Sequence, residues 1–396
     1  MTKKKYISIR FWQCCSLVLF LIILGMIGAY AYYSHKETER FQIVSELSGN
    51  IFPSAILSTA STGTQVIQPS IKNYVGNPQV EFGIRVKATS KNCRVHIELS
   101  ETPYFARSVS DFVLPIKDMV YMIYPDVLWN YDALKNNSQP QPISFAVSLK
   151  VDGEKPIQKI TTMSMRSINE CLLCYKDENM KLHDTSLYFA AYVNEDHPMI
   201  DILLREALNT KIVRKFVGVQ QGEKQVDKQV YALWNMLQKR HFTYSSISYS
   251  SLSSNMIYCQ KVRTIDDALQ SAQINCVDGT VLFASLLRAI NIEPVMIRVP
   301  GHMFIGYYTD TKNEKLQFLE TTIIGDVSLD EYFPDEKLDS ISGTKTQSEM
   351  SRLTFDKAKE YATKKYEEIK ENTGDESCQF LRISKSIRSK IQSIGR

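Results

Sequence analysis

The spacing of apolar residues changes partway along the chain, and this change limits the folds that are open to it. Between about residues 51 and 168 apolar and polar residues alternate, as in "VEFGIRVKA" and "CRVHIELS". From Tyr188 onward apolar residues recur at helical spacing, as in "HPMIDILLREAL" and "KQVDKQVYALWNMLQ". Alternation between turn signals is typical of antiparallel strands, and the second spacing is typical of amphipathic helices. The sequence therefore predicts an antiparallel β-sandwich followed by a second folded unit.

The second unit is predicted to be of the α+β class. Its helices are followed by three strand-like runs, "EPVMIRV", "HMFIGYY" and "KLQFLETTII". Helices that precede the strands, rather than alternating with them, indicate an α+β arrangement on an antiparallel sheet. At 396 residues the chain is long enough for two folded units of ordinary size.

The N-terminus combines a basic segment with a long apolar run. Lysines and an arginine in residues 1–10 precede 23 uncharged residues, Phe11–Tyr33. A helix of that length crosses about 30 Å of hydrocarbon. We predict an uncleaved transmembrane anchor, with residues 1–10 in the cytoplasm and the remainder of the chain periplasmic or extracellular. A cleavable signal peptide that ends near "AYA" at 29–31 is the alternative.

These patterns divide the chain into seven predicted segments. They are a basic segment (1–10), a transmembrane anchor (11–33), a stalk (34–50), a β-sandwich domain (51–168), a connector with a C-x-x-C motif (169–186), an α+β domain (187–335), and a C-terminal helix with a basic tail (336–396). The net charge of +4 is small for this length, so composition gives no support to nucleic-acid binding.

Eight cysteines in a chain of this length do not indicate a disulfide framework. Cys171 and Cys174 form one C-x-x-C motif, in "NECLLCY". A structural zinc site normally needs four ligands, and the sequence offers no second pair. We interpret both residues as connector cysteines that are open to pairing in an oxidising compartment.

The clearest indication of chemistry is the stretch Gln273–Tyr308, "QINCVDGTVLFASLLRAINIEPVMIRVPGHMFIGYY". Cys276 begins a helix that is apolar on most sides and is predicted to be buried. The unpaired N–H groups and the macrodipole at a helix N-terminus favour a thiolate, which is the nucleophilic form of cysteine. Asp278 is predicted to cap the same terminus or to support the adjoining loop. The alternative is an inert buried cysteine, which is common for this residue type.

His302 and Glu320 favour the chemical interpretation. His302 follows a turn and begins a predicted strand, and Glu320 lies on the next predicted strand, in "FLETT". Neighbouring antiparallel strands bring two such side chains together, and a carboxylate then orients the imidazole and favours its protonated form. Cysteine, histidine and carboxylate predict a nucleophile, a base and an orienting group.

The same residues resemble the core of the transglutaminase-like superfamily, within the papain-like cysteine enzymes, in a bacterial membrane-anchored form. That core has a cysteine that opens a buried helix, a histidine that opens a strand, and an acid on the following strand. Cys276, His302 and Glu320 match these positions, and the resemblance is best from about 260 to 322. It implies a papain-like fold and a catalytic role for the predicted domain 187–335.

The resemblance also implies an oxyanion hole and two departures from the usual pattern. A side-chain donor to the oxyanion would be Gln260, in "YCQKVR". Glu320 stands where an aspartate is usual, and Asn291 replaces the usual glycine of the turn before the first core strand. No cofactor is implied, and calcium is not, because no acidic loop with ligand spacing occurs.

The predicted function is that of a membrane-anchored, extracytoplasmic cysteine acyl-transfer enzyme that acts on a protein or peptide, for example in the cell envelope. The acyl group would go to water, as in a peptidase or amidase, or to an amine, as in a transglutaminase. The sequence leaves this choice open. The alternative from a different class is an envelope binding or scaffolding protein whose transglutaminase-like domain is catalytically silent.

Overall fold

The computed structural model describes residues 16–32, 40–245, 252, 254–325, 328–372 and 378–394. The predicted basic segment 1–10 lies outside the described residues, as do both ends of the predicted anchor and residues 34–39 of the predicted stalk. The described chain is α+β with mixed sheets.

No helix among the described residues is long and apolar enough to cross a membrane. Of the first helix, α1, the structure describes residues 16–32. The prediction of a transmembrane anchor at 11–33 is therefore wrong. The predicted single-pass location and the membrane-spanning part of the predicted fold class are wrong with it.

The first half of the chain, up to residue 169, contains eleven strands and, besides α1, two short helices among the described residues. The strands are β1 Phe41–Val44, β2 Asn50–Ile51, β3 Tyr74–Gly76, β4 Gly83–Lys87, β5 Cys93–Leu99, β6 Phe105–Ala106, β7 Ser108–Leu114, β8 Val120–Tyr124, β9 Leu128–Trp129, β10 Gln141–Val151 and β11 Ile157–Met165. The helices are α2 Pro53–Thr59 and α3 Tyr131–Asn136.

These strands form two main sheets, in the orders β1-β4-β8-β3 and β2-β11-β10-β5-β7, and a small β6-β9 pair. Strand β3 pairs parallel to β8, and β2 pairs parallel to β11. The prediction of a purely antiparallel sandwich is therefore wrong. Both parallel strands are edge strands of only two or three residues, too short to show any alternation in the sequence.

Aromatic side chains join the two main sheets. The ring of Phe145, on β10, lies 5.3 Å from the ring of Phe82, which directly precedes β4 in the other sheet. It lies at the same distance from Phe105 in an edge-to-face contact. All three side chains are buried, and such pairs contribute about 0.5–1.5 kcal/mol beyond the area they bury.

The second half of the chain, taken from residue 170 onward, contains nine strands and most of the helices among the described residues. The strands are β12 Glu170–Lys176, β13 Leu182–Asp184, β14 Thr243–Tyr244, β15 Ile257–Lys261, β16 Gln273–Ile274, β17 Pro294–Val299, β18 His302–Tyr308, β19 Leu316–Leu319 and β20 Gln379–Arg382. The helices are α4 Pro198–Asn209, α5 Glu223–Gln238, α6 Ile265–Ser271, α7 Cys276–Ala289, α8 Leu329–Tyr332, α9 Asp339–Ser342, α10 Gln347–Ile369 and α11 Lys385–Arg388.

An antiparallel sheet in the order β19-β18-β17-β20 is the centre of this half. Helix α7 packs against β17 and β18, and α10 packs against β19. Trp234 on α5 is fully buried between Phe283 on α7 and Phe355 on α10, with ring centroids 6.1 and 5.9 Å away. Its indole N–H donates to Thr354 at 3.1 Å, which satisfies the polar atom that this ring carries into the core.

The predicted connector 169–186 contains the central strand of a three-stranded sheet, in the order β13-β12-β15. Cys171 and Cys174 lie on β12, and Cys171 is fully buried. No disulfide joins the two residues. The backbone of residues 170–176 pairs with β15 in the later part of the chain, so this part of the predicted connector is a strand.

The basic C-terminal tail folds back onto the protein. Arg388 donates to the carbonyl oxygens of Ala190 and Val193 at 2.8 and 2.6 Å, and to the Glu195 carboxylate at 2.6 Å. Arg288, in the last turn of α7, donates to the other oxygen of Glu195 at 2.6 Å. This half-buried cluster links the end of the cysteine helix to the C-terminal segment.

We expect the tail to stabilise the whole fold through this cluster. Arg388→Met removes a charge partner of Glu195 and the hydrogen bonds to the carbonyl oxygens of Ala190 and Val193, so the free energy of unfolding should fall by about 2–3 kcal/mol. Urea denaturation followed by circular dichroism measures the change. The control is Arg205→Met, which removes an exposed helix ion pair and should cost about 0.5 kcal/mol or less. Equal losses in the two variants would contradict the structural role of Arg388.

Candidate active site

Helix α7 begins at Cys276 because of a capping box. The side chain of Asn275 accepts hydrogen bonds from the N–H groups of Val277 and Asp278, both at 2.8 Å. Asp278 in return accepts one from the N–H of Asn275 at 3.0 Å. This reciprocal pair satisfies N–H groups that a helix terminus leaves unpaired and fixes where the helix starts. Cys276 is therefore held in the first turn, where it is 8% exposed.

Asp278 also ties this terminus to the segment before it. Its carboxylate accepts from the backbone N–H of Arg263 at 2.8 Å and from the guanidinium of Arg263 at 2.5 Å. Burial raises the pKa of Asp278, and the hydrogen bonds from Arg263 and Asn275 oppose that rise. In the structure Asp278 supports the start of the helix and does not contact His302.

His302 and Glu320 lie side by side at the ends of neighbouring strands. His302 is the first residue of β18 and faces Val299 across a tight turn, in which Gly301 has a φ of +72°. Glycine adopts this left-handed conformation without strain. Glu320 directly follows β19, which pairs with β18. Nε2 of His302 lies 2.7 Å from Oε2 of Glu320, and the glutamate is fully buried.

The side chain of Cys276 lies close enough to the imidazole of His302 to affect its pKa. Because Nε2 faces Glu320, Nδ1 is the ring nitrogen left for the thiol. Burial lowers the pKa of His302, but the hydrogen bonds and charges of Cys276 and Glu320 outweigh it and raise the pKa to about 10. An imidazole with this pKa is protonated at neutral pH, and an imidazolium is the partner that stabilises a thiolate.

A glycine lets the cysteine helix approach the segment that carries Glu320. A Cβ atom at Gly279 would lie 2.6 Å from Oγ1 and 2.9 Å from Cβ of Thr321, closer than side-chain atoms pack. Thr321 directly follows Glu320 and begins the 3-10 helix Thr321–Ile324. The absence of a side chain at Gly279 therefore keeps α7 close enough for its first turn to meet His302.

Gln260, the predicted side-chain donor to an oxyanion, lies on strand β15 opposite Cys171 of β12. Its amide donates to the carbonyl oxygen of Lys261 at 3.1 Å. The sheet that contains β15 is not the sheet that carries His302. The structure therefore brings together Cys276, His302 and Glu320, and it places Gln260 on a different sheet from His302.

Tyr244 lies near the site and has no signal in the sequence. It is on β14, which pairs parallel to β16, and it faces Ile274 two residues before Cys276. Burial, followed by the charges of Cys276 and Glu320, raises the pKa of Tyr244, so the phenol is within electrostatic reach of both. Strands of two residues that pair across a long loop leave no periodic pattern, so alternation could not have revealed this residue.

Thr322 and Tyr332 contact the acid and were also not predicted. Thr322 donates its hydroxyl to Oε1 of Glu320 at 2.7 Å, and Tyr332 donates its own hydroxyl to Thr322 at 3.2 Å. The triplet "ETT" in "FLETTII" is the one local hint, because a threonine two residues after an acid often bonds back to it.

No family model and no curated protein matches this chain. The transglutaminase-like resemblance therefore stays a prediction from its motifs. In the part of the chain that the structure describes, no three His, Cys, Asp or Glu side chains cluster in a way that could hold a metal ion.

We expect Gly279→Ala to disturb the site through packing. The added methyl group collides with the Cβ atom of Thr321, which cannot move without its backbone. Helix α7 must therefore shift away from the segment that follows Glu320. The free energy of unfolding should fall by about 1–3 kcal/mol. Alkylation of Cys276 by iodoacetamide should slow by at least about tenfold, because small misplacements strongly reduce reactivity. Gly343→Ala is the control, since open space surrounds Gly343; similar effects of both changes would contradict the packing explanation.

The raised pKa of His302 predicts how stability depends on pH. The pKa is about 10 in the folded chain and about 6.5 when unfolded, so the folded chain binds the extra proton between these values. Stability from this proton is fully present below about pH 6.5 and is lost as the pH rises through about 10. The difference in unfolding free energy between wild type and His302→Gln should fall by roughly 2–4 kcal/mol from pH 6 to pH 10. A difference that stays constant over this range in urea titrations would show that the pKa is not raised.

Proposed function

We propose that this chain is a cysteine acyl-transfer enzyme that attacks carboxamide or peptide carbonyl groups in a protein or peptide. The observation that carries the proposal is the grouping of Cys276, at the N-terminus of a buried helix, with His302 and with the Glu320 carboxylate that His302 hydrogen-bonds. A nucleophile beside a base, with a third group that orients the base, is what nucleophilic catalysis requires. The resemblance of these residues to the transglutaminase-like superfamily supports the same chemistry.

The first half of the reaction forms a thioester. The Cys276 thiolate adds to the carbonyl carbon, and the carbonyl oxygen becomes an oxyanion. When the oxyanion collapses, the C–N bond breaks and the leaving nitrogen takes the proton of the His302 imidazolium. The products of this step are an acyl group on Sγ of Cys276, a released amine or ammonia, and a neutral imidazole.

The second half transfers the acyl group to an acceptor. Neutral His302 takes a proton from water or from a primary amine as it attacks the thioester, and the bond from Sγ to the acyl carbon then breaks. The thiolate–imidazolium pair is restored. Water gives hydrolysis and an amine gives a new amide. Mass spectrometry of a glutamine-containing peptide, with and without a primary amine, distinguishes the two.

The oxyanion needs hydrogen-bond donors beside Cys276. Asn275 accepts from the N–H groups of Val277 and Asp278, and the N–H of Cys276, in the same first turn, would be the backbone donor to the oxyanion. Gln260 is the side-chain donor that the resemblance implies. Its amide donates one hydrogen bond to the Lys261 carbonyl, and the second N–H of the same NH2 group would be the donor to the oxyanion.

The test measures the reactivity of Cys276 directly and needs no knowledge of the substrate. Cys276 is 8% exposed and Cys378 is 7% exposed, so Cys378 is a matched control for access. At pH 7 Cys276 should react with iodoacetamide at least about tenfold faster than Cys378, because Cys276 lies at a helix N-terminus and beside an imidazolium. Peptide mapping by mass spectrometry gives both rates.

Two outcomes decide the proposal. His302→Gln should reduce the rate at Cys276 to about that of Cys378 and leave the rate at Cys378 unchanged. Equal rates at the two cysteines in the wild-type chain would overturn the proposal and favour a catalytically silent binding domain.

A further inference from the structure

The two carboxylate oxygens of Glu320 have different partners. Oε2 lies 2.7 Å from Nε2 of His302. Oε1 accepts two hydrogen bonds from Thr322, one from its backbone N–H at 3.1 Å and one from its hydroxyl at 2.7 Å. One oxygen therefore faces the reacting groups, and the other is held by the chain that follows.

Tyr332 extends these contacts into a row of hydrogen bonds that runs from Tyr332 through Thr322 to Glu320. Its hydroxyl, on the short helix α8, donates to Oγ1 of Thr322 at 3.2 Å. Thr322 has a single hydroxyl proton, which it gives to Glu320, and it accepts from Tyr332 with a lone pair. Burial raises the pKa of Tyr332 to about 12, with a smaller contribution from the charge of Glu320, so the phenol keeps its proton at working pH. Each bond in the row points toward the carboxylate.

A glutamate needs such support more than an aspartate would. Its side chain has one more rotatable bond, so a buried and unsupported carboxyl group could turn its oxygen away from the imidazole. The backbone N–H of Thr322 alone leaves rotation about the last bond weakly restrained. A second bond, from a hydroxyl that is itself held in place, fixes the plane of the carboxylate.

We propose that Thr322 and Tyr332 are positioning residues that hold Glu320 against His302 and thereby set the protonation of the imidazole and the reactivity of Cys276. This inference rests on the proposed function. The titratable groups that face His302 and Glu320 come from three elements: Cys276 on α7, Tyr244 on β14 and Tyr332 on α8. The ring of Phe304 stacks on the imidazole of His302 and carries no charge.

The experiment compares Thr322→Val, Thr322→Ser and Tyr332→Phe with the wild-type chain. Thr322→Val keeps the shape of the side chain and removes the hydroxyl, so alkylation of Cys276 by iodoacetamide at pH 7 should slow by about tenfold. Tyr332→Phe acts one bond further away and should slow it by about threefold. Thr322→Ser keeps the hydroxyl and should restore the wild-type rate.

A second readout separates positioning from a general loss of structure. The titration midpoint of the His302 ring, followed by NMR of labelled histidine, should fall by about one unit in Thr322→Val and by about half a unit in Tyr332→Phe. Tyr361→Phe is the matched control, because its ring packs edge-to-face on Tyr332 at 5.2 Å while its hydroxyl lies outside the row. The midpoint should not move in that variant.

The outcomes distinguish this inference from the proposed function. A wild-type Cys276 that reacts no faster than Cys378 would overturn the proposed function. A fast wild-type Cys276 with unchanged His302 midpoints in both Thr322→Val and Tyr332→Phe would overturn the positioning roles alone. Equal effects of Tyr332→Phe and Tyr361→Phe would also overturn them, because they would indicate packing and not the hydroxyl.

Discussion

The start of helix α7 is the constraint on which the candidate site depends. An α-helix turns by about 100° per residue, so a start one residue earlier or later would rotate Cys276 away from the imidazole. Asn275 and Asp278 set the start through their reciprocal bonds, and Arg263 anchors Asp278 from the preceding segment. Buried polar groups of this kind are costly unless they are paired, and here each has its partner.

The grouping of Cys276, His302 and Glu320 could be predicted from the sequence because each residue lies where a helix or strand begins or ends. Cys276 precedes an unbroken apolar run, and His302 follows a Pro-Gly turn that marks the start of a strand. Glu320 ends the next strand. Side-chain neighbours that come from distant loops have no such mark. Tyr244 reaches the site through a strand of two residues, and the position of Gln260 depends on a sheet that its own sequence does not indicate.

The fold shows the same division between regular and irregular segments. Long strands such as β5 and β10 alternate between a buried and an exposed face, so their sequences indicate them directly. The sequence of strand β12 does not indicate a strand. Its register shifts between Leu172 and Cys174, and the alternation of buried and exposed side chains is lost there. The apolar N-terminal run meets the usual criteria of length and charge for a membrane-spanning helix. No helix among the described residues, however, is long and apolar enough to cross a membrane.

The central sheet includes a strand from a much later part of the chain. Strand β20 pairs with β17, and beyond it Gln392 donates to the carbonyl oxygen of Leu57, 335 residues earlier. During synthesis on a ribosome, Cys276 and His302 therefore emerge well before the strand that completes their sheet. Until residues 379–382 are made, one edge of β17 stays open and the support behind the thiol is incomplete. The sheet that carries His302 therefore cannot be completed during synthesis before residues 379–382 have been made.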